Sequence, residues 1–201
     1  MSDSRLIRLF IDTATKTFAL GARVDDKEKT IDLGNPKKVL ELTHTGIQEL
    51  GQERDFTRPE IKEYYCLLGP GSNTGIRLGL TIPRTVYAID PSIKIFGIET
   101  RKLLLTSGAD SAVLSDRNGN LFYLDTKRKE GHIRVRKEEI GTYPFLGKIA
   151  VEDSDIAAKE ALKDKDIVLI NVLSLRRQHK EAFLDFSAKE EEYLPEYARK
   201  I

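Results

Sequence analysis

The stretch GPGSNTGIRLGL, Gly69 to Leu80, decides how this chain is read. It follows EYYCLL (Glu63–Leu68), an apolar run that reads as a buried strand. A strand that enters a glycine-rich turn and then opens a helix aims unbonded backbone N–H groups beyond the turn. Ser72 or Asn73 is positioned to cap that helix, which the pattern carries from Thr74 to Ile89. Pro83 inside it should kink it or remove one hydrogen bond. A phosphate-binding loop would need G-x-x-x-x-G-K-[ST], and Gly75-Ile76-Arg77 lacks the lysine. Two readings of the turn stand side by side: a structural elbow, or an anion contact. The spacing of Gly75 and Gly79 on one helix face further suggests that a second helix approaches there, which favours an interface.

Upstream, Leu6–Asp12, Thr17–Val24 and Lys29–Leu33 read as three strands of an antiparallel meander. Asn35-Pro36 then starts a helix, with Asn35 as cap and Pro36 at the first turn. Val39, Leu40, Thr43, Ile47 and Leu50 recur at helical spacing, and Gly51 suits the stop. Gln52–Pro59 is a polar loop. Downstream come a strand at Ile93–Ile98 and a short helix near Glu99–Ser107. From Gly108, Ser111–Ser115 and Leu121–Asp125 flank a hairpin turn, and Arg134 and Arg136 alternate with Val135 in a third strand. Asp153–Leu162 reads as a helix capped by Asp153, Ser154 or Asp155. Ile167–Asn171 reads as a buried strand, Val172–Phe186 as an amphipathic helix, and Ala188–Ile201 as a charged tail.

The order β-β-β-α-β-α-β is that of a ribonuclease H-like module, and two such modules make the actin-like fold of the sugar kinase, Hsp70 and actin superfamily. The expected division is an N-terminal module over residues 1–107 and a smaller C-terminal one over 108–201. No repeat of fixed period is present.

Composition limits the function. With 33 basic and 32 acidic residues the net charge is +1, short of the basic excess of a protein that holds nucleic acid alone. The segment Lys127–Lys137 is locally basic and reads as a charged hairpin edge or as a patch that touches RNA. No apolar run approaches the roughly 18 residues of a membrane span. The N-terminus runs from polar residues straight into a strand, and Cys66 is the lone cysteine, so a cytoplasmic protein is expected. His44, His132 and His179 are too scattered for a helical metal site, and no nucleophile elbow or Cys–His pair is evident. Asp12 reads as a turn cap; likeness to that superfamily, which places a carboxylate here beside a nucleotide, implies instead a nucleotide contact, with Thr13 and Ser72 as further candidates.

Several segments, taken in order, resemble the TsaB/YeaZ family. Gly69–Leu80 is similar to the family's G-P-G-S-F-T-G-L-R-I-G-L, departing at Asn73 where an aromatic is usual. Phe10-Ile11-Asp12-Thr13-Ala14-Thr15 resembles its opening strand and I-D-T-S turn, and Thr43-His44-Thr45 its His-Ser pair. Ile98–Leu105 sits at its S-S-L-E-A-L-like helix. Arg117-Asn118-Gly119 falls in a hairpin written D-A-R-R-G-E, with Ser115 and Asn120 at its acidic positions. Pro195–Arg199 resembles its terminal P-x-Y-L-R. The resemblance covers most of residues 6–125. It implies a subunit without catalysis of its own, a degenerate paralogue of TsaD that pairs with a TsaD-like catalytic subunit. That partner transfers a threonylcarbamoyl group to the adenosine beside the anticodon of tRNAs reading A-starting codons. The H-x-x-x-H metal motif of TsaD is absent here. The resemblance also implies a TsaE-like ATPase partner, tRNA reached only through the complex, no intrinsic cofactor, ATP or ADP at the partner interface, and a homodimer when alone. The interface would use Val39, Leu40, Thr43, Ile47, Leu50, Gly75, Ile76, Arg77, Gly79 and Leu80. An ATP-dependent phosphotransferase or a peptidase is the alternative.

Overall fold

A computed structural model describes residues 5–34, 38–116, 118–127, 133–172, 174, 180–185 and 187. In chain order the elements are β1 (Ile7–Asp12), β2 (Ala19–Val24), β3 (Lys27–Asp32), α1 (Val39–Arg54), β4 (Ile61–Leu67), α2 (Asn73–Ile89) and β5 (Lys94–Ile98). There follow α3 (Thr100–Leu105), β6 (Ser111–Ser115), β7 (Leu121–Asp125), β8 (Ile133–Val135), β9 (Ile149–Glu152), α4 (Ile156–Ala161), β10 (Ile167–Ile170) and β11 (Leu184–Asp185). The described residues form two compact units. One holds those up to Leu68, Ser72–Ile98 and those from Phe183; the other holds Gly69–Gly71 and Glu99–Ala182. The boundary expected at 107/108 thus falls at Ile98/Glu99, because α3 packs on β6, β7 and β9.

The first unit is a sheet in the order β11-β5-β4-β1-β2-β3. β1 pairs antiparallel with β2 and parallel with β4. The meander turns earlier than expected: Asp25, at φ 53°, and Asp26 alone make the corner, so β3 begins at Lys27. Ile11 and Leu20 face each other across the register, and they lie beneath α2 and α1 respectively. Both helices therefore cover one face of the sheet, as two right-handed crossovers running the same way require. Asn35 and Pro36 lie outside the described residues. α1 does not stop at Gly51. It runs on to Arg54, and Asp55 takes the left-handed conformation at φ 56°. Gly51 serves a different need: a Cβ there would come within 2.6 Å of the Phe56 carbonyl oxygen, where the chain folds back under the helix.

The opposite face of this sheet is aromatic. Phe10, Tyr65 and Phe96 stand side by side on β1, β4 and β5. Tyr65 stacks on Phe96 at 4.8 Å, and Phe183 meets Tyr65 and Phe10 edge-on at 5.3 and 6.3 Å. Glu63 holds this face at its edge, accepting from Arg8 Nε at 2.8 Å and from the Tyr65 hydroxyl at 2.9 Å. Burial, reinforced by Glu63, pushes the Tyr65 hydroxyl pKa well up. Phe183 belongs to a segment expected to be helical through Phe186. Val172 and Ser174 are helical, and 173, 175–179 and 186 lie outside the described residues. Nearer Phe186 the described residues form a 3-10 turn at Lys180–Ala182, buried Phe183, and the two-residue strand β11, which pairs antiparallel with β5. The Ile95 N–H donates to Ser187 Oγ at 2.8 Å, extending that edge.

The second unit orders its strands β10-β9-β6-β7-β8. Written from the opposite edge, this is the order of β3-β2-β1-β4-β5: the same ribonuclease H-like topology twice, with no repeat in the sequence to announce it. Its core gathers Val113, Leu121, Tyr123, Val135, Ile149, Val151, Ala158 and Leu162. The β6–β7 hairpin is tied by Asp116, whose carboxylate accepts from the Asn118 and Asn120 N–H groups and from Arg134 Nη2 at 2.8 Å. Arg117 lies outside the described residues. Of the three candidate caps, Asp155 is the one used: its Oδ1 accepts from Ala158 N–H and Ser115 Oγ, and its Oδ2 from Ser115 N–H. β10 is not buried as expected. It is an edge strand with Leu169 half exposed.

Because Phe183 closes the aromatic face, Phe183→Ala should destabilise the protein by about 3 kcal/mol, read as a lower urea midpoint. A change below about 1 kcal/mol would show that Phe183 merely rests on the sheet.

Candidate functional site

Within the first unit, the start of α2 at Ser72 meets the turn between β1 and β2. Asp12, fully buried at the end of β1, accepts at Oδ1 from Ala14 N–H (3.1 Å) and Thr15 N–H (2.9 Å), and at Oδ2 from the Thr15 hydroxyl. That is the pattern of a turn cap, the first of its two sequence readings. Ser72 N–H donates to the Ala14 carbonyl at 2.8 Å, which joins this turn to the start of α2. Ser72 Oγ then accepts from Gly75 N–H at 3.1 Å, so Ser72, not Asn73, is the cap. The Asp12 and Ser72 side-chain oxygens and the Gly75 N–H are thus engaged within the chain.

Thr13 lies directly against α2. Its hydroxyl donates to the Gly75 carbonyl at 2.6 Å. A Cβ on Gly75 would lie 1.7 Å from the Thr13 carbonyl oxygen, and one on Gly79 would lie 2.3 Å from Thr13 Oγ1. The glycine spacing expected to admit a partner helix admits the chain's own Thr13 instead. Behind it, Pro83 has no N–H to give the Gly79 carbonyl one turn earlier, and α2 nevertheless continues to Ile89. Cys66 Sγ fills part of that gap, 3.8 Å from the Gly79 oxygen. Burial pushes the Cys66 thiol up to about 12.

The residues expected at an interface divide accordingly. Val39, Thr43, Ile47, Leu50, Gly75, Ile76, Gly79 and Leu80 are buried within the unit, and only Leu40 and Arg77 among those named face outward. The outward face of α2 was missed. Leu78, Ile82 and Val86 follow each other one turn apart, each partly exposed, and Ile89 ends the row at 82% exposure. Their spacing was available as a second apolar stripe, hidden because the first stripe already accounted for a buried face. On α1 Leu40, Glu41, His44, Thr45, Gln48, Glu49, Gln52 and Glu53 are exposed. His44 is exposed and its carbonyl accepts from Arg58.

The close approach at Thr13 has a measurable consequence. Gly75→Ala should cost about 3 kcal/mol or more, because backbone meets backbone; Gly79→Ala should cost about 1–2 kcal/mol, because the Thr13 side chain can turn away. Cys66 in the parent protein should resist thiol reagents at pH 8 until unfolding, and should label faster in Gly75→Ala. Equal labelling rates and unchanged stability would contradict this packing.

No protein-family model matches the chain. Solved structures share its architecture, two of them as follows. YeaZ from Pseudomonas aeruginosa superposes with a TM-score of 0.65 at 13% identity, over 96% of this chain and 98% of that one. An uncharacterised protein with similarity to peptidase YeaZ from Pseudomonas aeruginosa gives 0.68 at 14% identity, again over 96% and 98%. In sequence, the uncharacterised MG208 homolog of Mycoplasma pneumoniae is 26% identical over 115 residues, 55% of this chain and 58% of that protein. MG208 of Mycoplasma genitalium is 24% identical over 96 residues, 46% and 49%. The chain thus spans about half the length of the curated relatives it matches. Its two mixed sheets, each in ribonuclease H-like order, carry the actin-like fold of YeaZ.

Proposed function

We propose that this chain is a TsaB/YeaZ-family subunit that docks a TsaD-like catalytic subunit through the outward faces of α1 and α2. The observation that carries the reading is the row Leu78, Ile82, Val86 and Ile89 on α2, with Leu40 on α1: apolar side chains left open to solvent on helices whose inner faces are already filled. Such a row is stabilised by burial against another helix pair, at roughly 25 cal/mol per Å² of apolar area. The ordered resemblance around Asp12 and Gly69–Leu80 and the YeaZ fold support the same reading. In it, the partner carries out threonylcarbamoyl transfer to the adenosine beside the anticodon, this chain supplies a folded docking face, and tRNA is met through the complex. A TsaE-like ATPase acts on the assembly, and ATP or ADP binds at the partner interface. Without the partner, the same face pairs with a second copy in an isologous dimer, and the assembly works in the cytoplasm.

Ile82→Glu/Ile89→Glu should keep the circular dichroism of the parent and weaken binding to a TsaD-like subunit by about a hundredfold, since two charges would be buried in an apolar contact. Cells carrying only this variant should lose threonylcarbamoyladenosine from their tRNA. Full modification in cells lacking the gene would overturn the proposal.

A further inference from the structure

We propose a second docking site, on the flank of α1 away from α2: the trough between α1 and β3, fitted to a partner polypeptide segment that presents a Leu or Ile beside a Lys or Arg. The trough has a volume of about 400 Å³ and is open to solvent. Its floor is Ile31, Leu33, Leu42 and Gly46. Gly46 keeps it narrow, since a Cβ there would come within 2.8–2.9 Å of Leu33, Ile31 and Leu20 methyl carbons. That floor takes aliphatic side chains rather than polar ones.

The rim sets the charge of the occupant. Lys29 contributes a cation, but its ammonium is already held by Glu53 at 2.9 Å. Asp32 and Glu49, one on each side, are both exposed and have no cation partner among the described residues. An apolar floor between two unneutralised carboxylates complements an aliphatic side chain flanked by a basic one, whose methylene stem lies on the floor while its charge stays at the rim. An open-sided trough suits a passing segment of chain better than an enclosed small molecule. The site lies at the sheet's outer edge, against β3, and uses Leu42, Thr45, Gly46 and Glu49 on one flank of α1, whereas α2 lies over β1, β4 and β5. It shares α1, but neither Leu40 nor any residue of α2, with the docking face proposed above.

The test titrates the full ¹⁵N-labelled chain with a capped Lys-Leu-Lys-Leu-Lys peptide and with its Glu-Leu-Glu-Leu-Glu counterpart. The basic peptide should shift the amides of Ile31, Leu33, Leu42 and Gly46 at one-to-one stoichiometry. Asp32→Lys/Glu49→Lys, whose positions are exposed, should retain the parent's circular dichroism and bind about tenfold more weakly. Equal binding of the acidic peptide, unchanged affinity in the variant, or no shift at millimolar peptide would overturn the proposal. Shifts at these amides that grow with protein concentration alone would also overturn it, assigning the trough to a second copy.

Discussion

The close contact of α2 with Thr13 constrains the rest of the first unit. Gly75 sits against the Thr13 carbonyl, Gly79 against its hydroxyl, and that hydroxyl donates to the Gly75 carbonyl. No residue with a Cβ fits at Gly75 without moving backbone. The helix is therefore fixed in height and rotation over β1 and β4, and its cap at Ser72 is joined to the β1–β2 turn through Ala14. A sequence that resembles a phosphate loop uses its glycines to bring helix and strand together.

Fixing the inner face of α2 determines what its outer face shows. With Ile76, Leu80 and Pro83 turned inward, the row from Leu78 to Ile89 has no place in the unit's own core. The opposite face of the sheet is dealt with differently: the chain returns after the second unit, and Phe183 covers Phe10 and Tyr65 while β11 extends the sheet beyond β5. One apolar surface is closed by the chain itself and the other stays open. That contrast underlies the docking reading.

Much of this was legible in the sequence, and the failures have physical causes. β1, β4, β6 and β7 are apolar runs between turn residues, and short-range chemistry suffices to place them. The Ser72 and Asp155 caps follow from side-chain reach. Gly51, Gly75 and Gly79 show the limit: spacing tells that something approaches closely, but not whether it is Phe56, Thr13 or another chain. β11 could not be seen, because a two-residue strand has no periodicity and its pairing joins positions nearly ninety residues apart. The duplicated topology was expected from the order of the first module and is present, although strand order is fixed by long-range pairing and the two units share no visible sequence pattern. Of the residues expected at an interface, Leu40 and Arg77 lie outward and the rest fill the core, a division of faces that helical spacing alone does not make.

Hydroxyl-radical footprinting of the chain, alone and mixed with a TsaD-like subunit, tests the central claim most directly. Leu78, Ile82, Val86, Ile89 and Leu40 should be oxidised in the dilute chain and protected in the mixture, while exposed Leu169 and Ile156 of the second unit stay unchanged. Protection confined to the second unit, or none at all, would contradict the account.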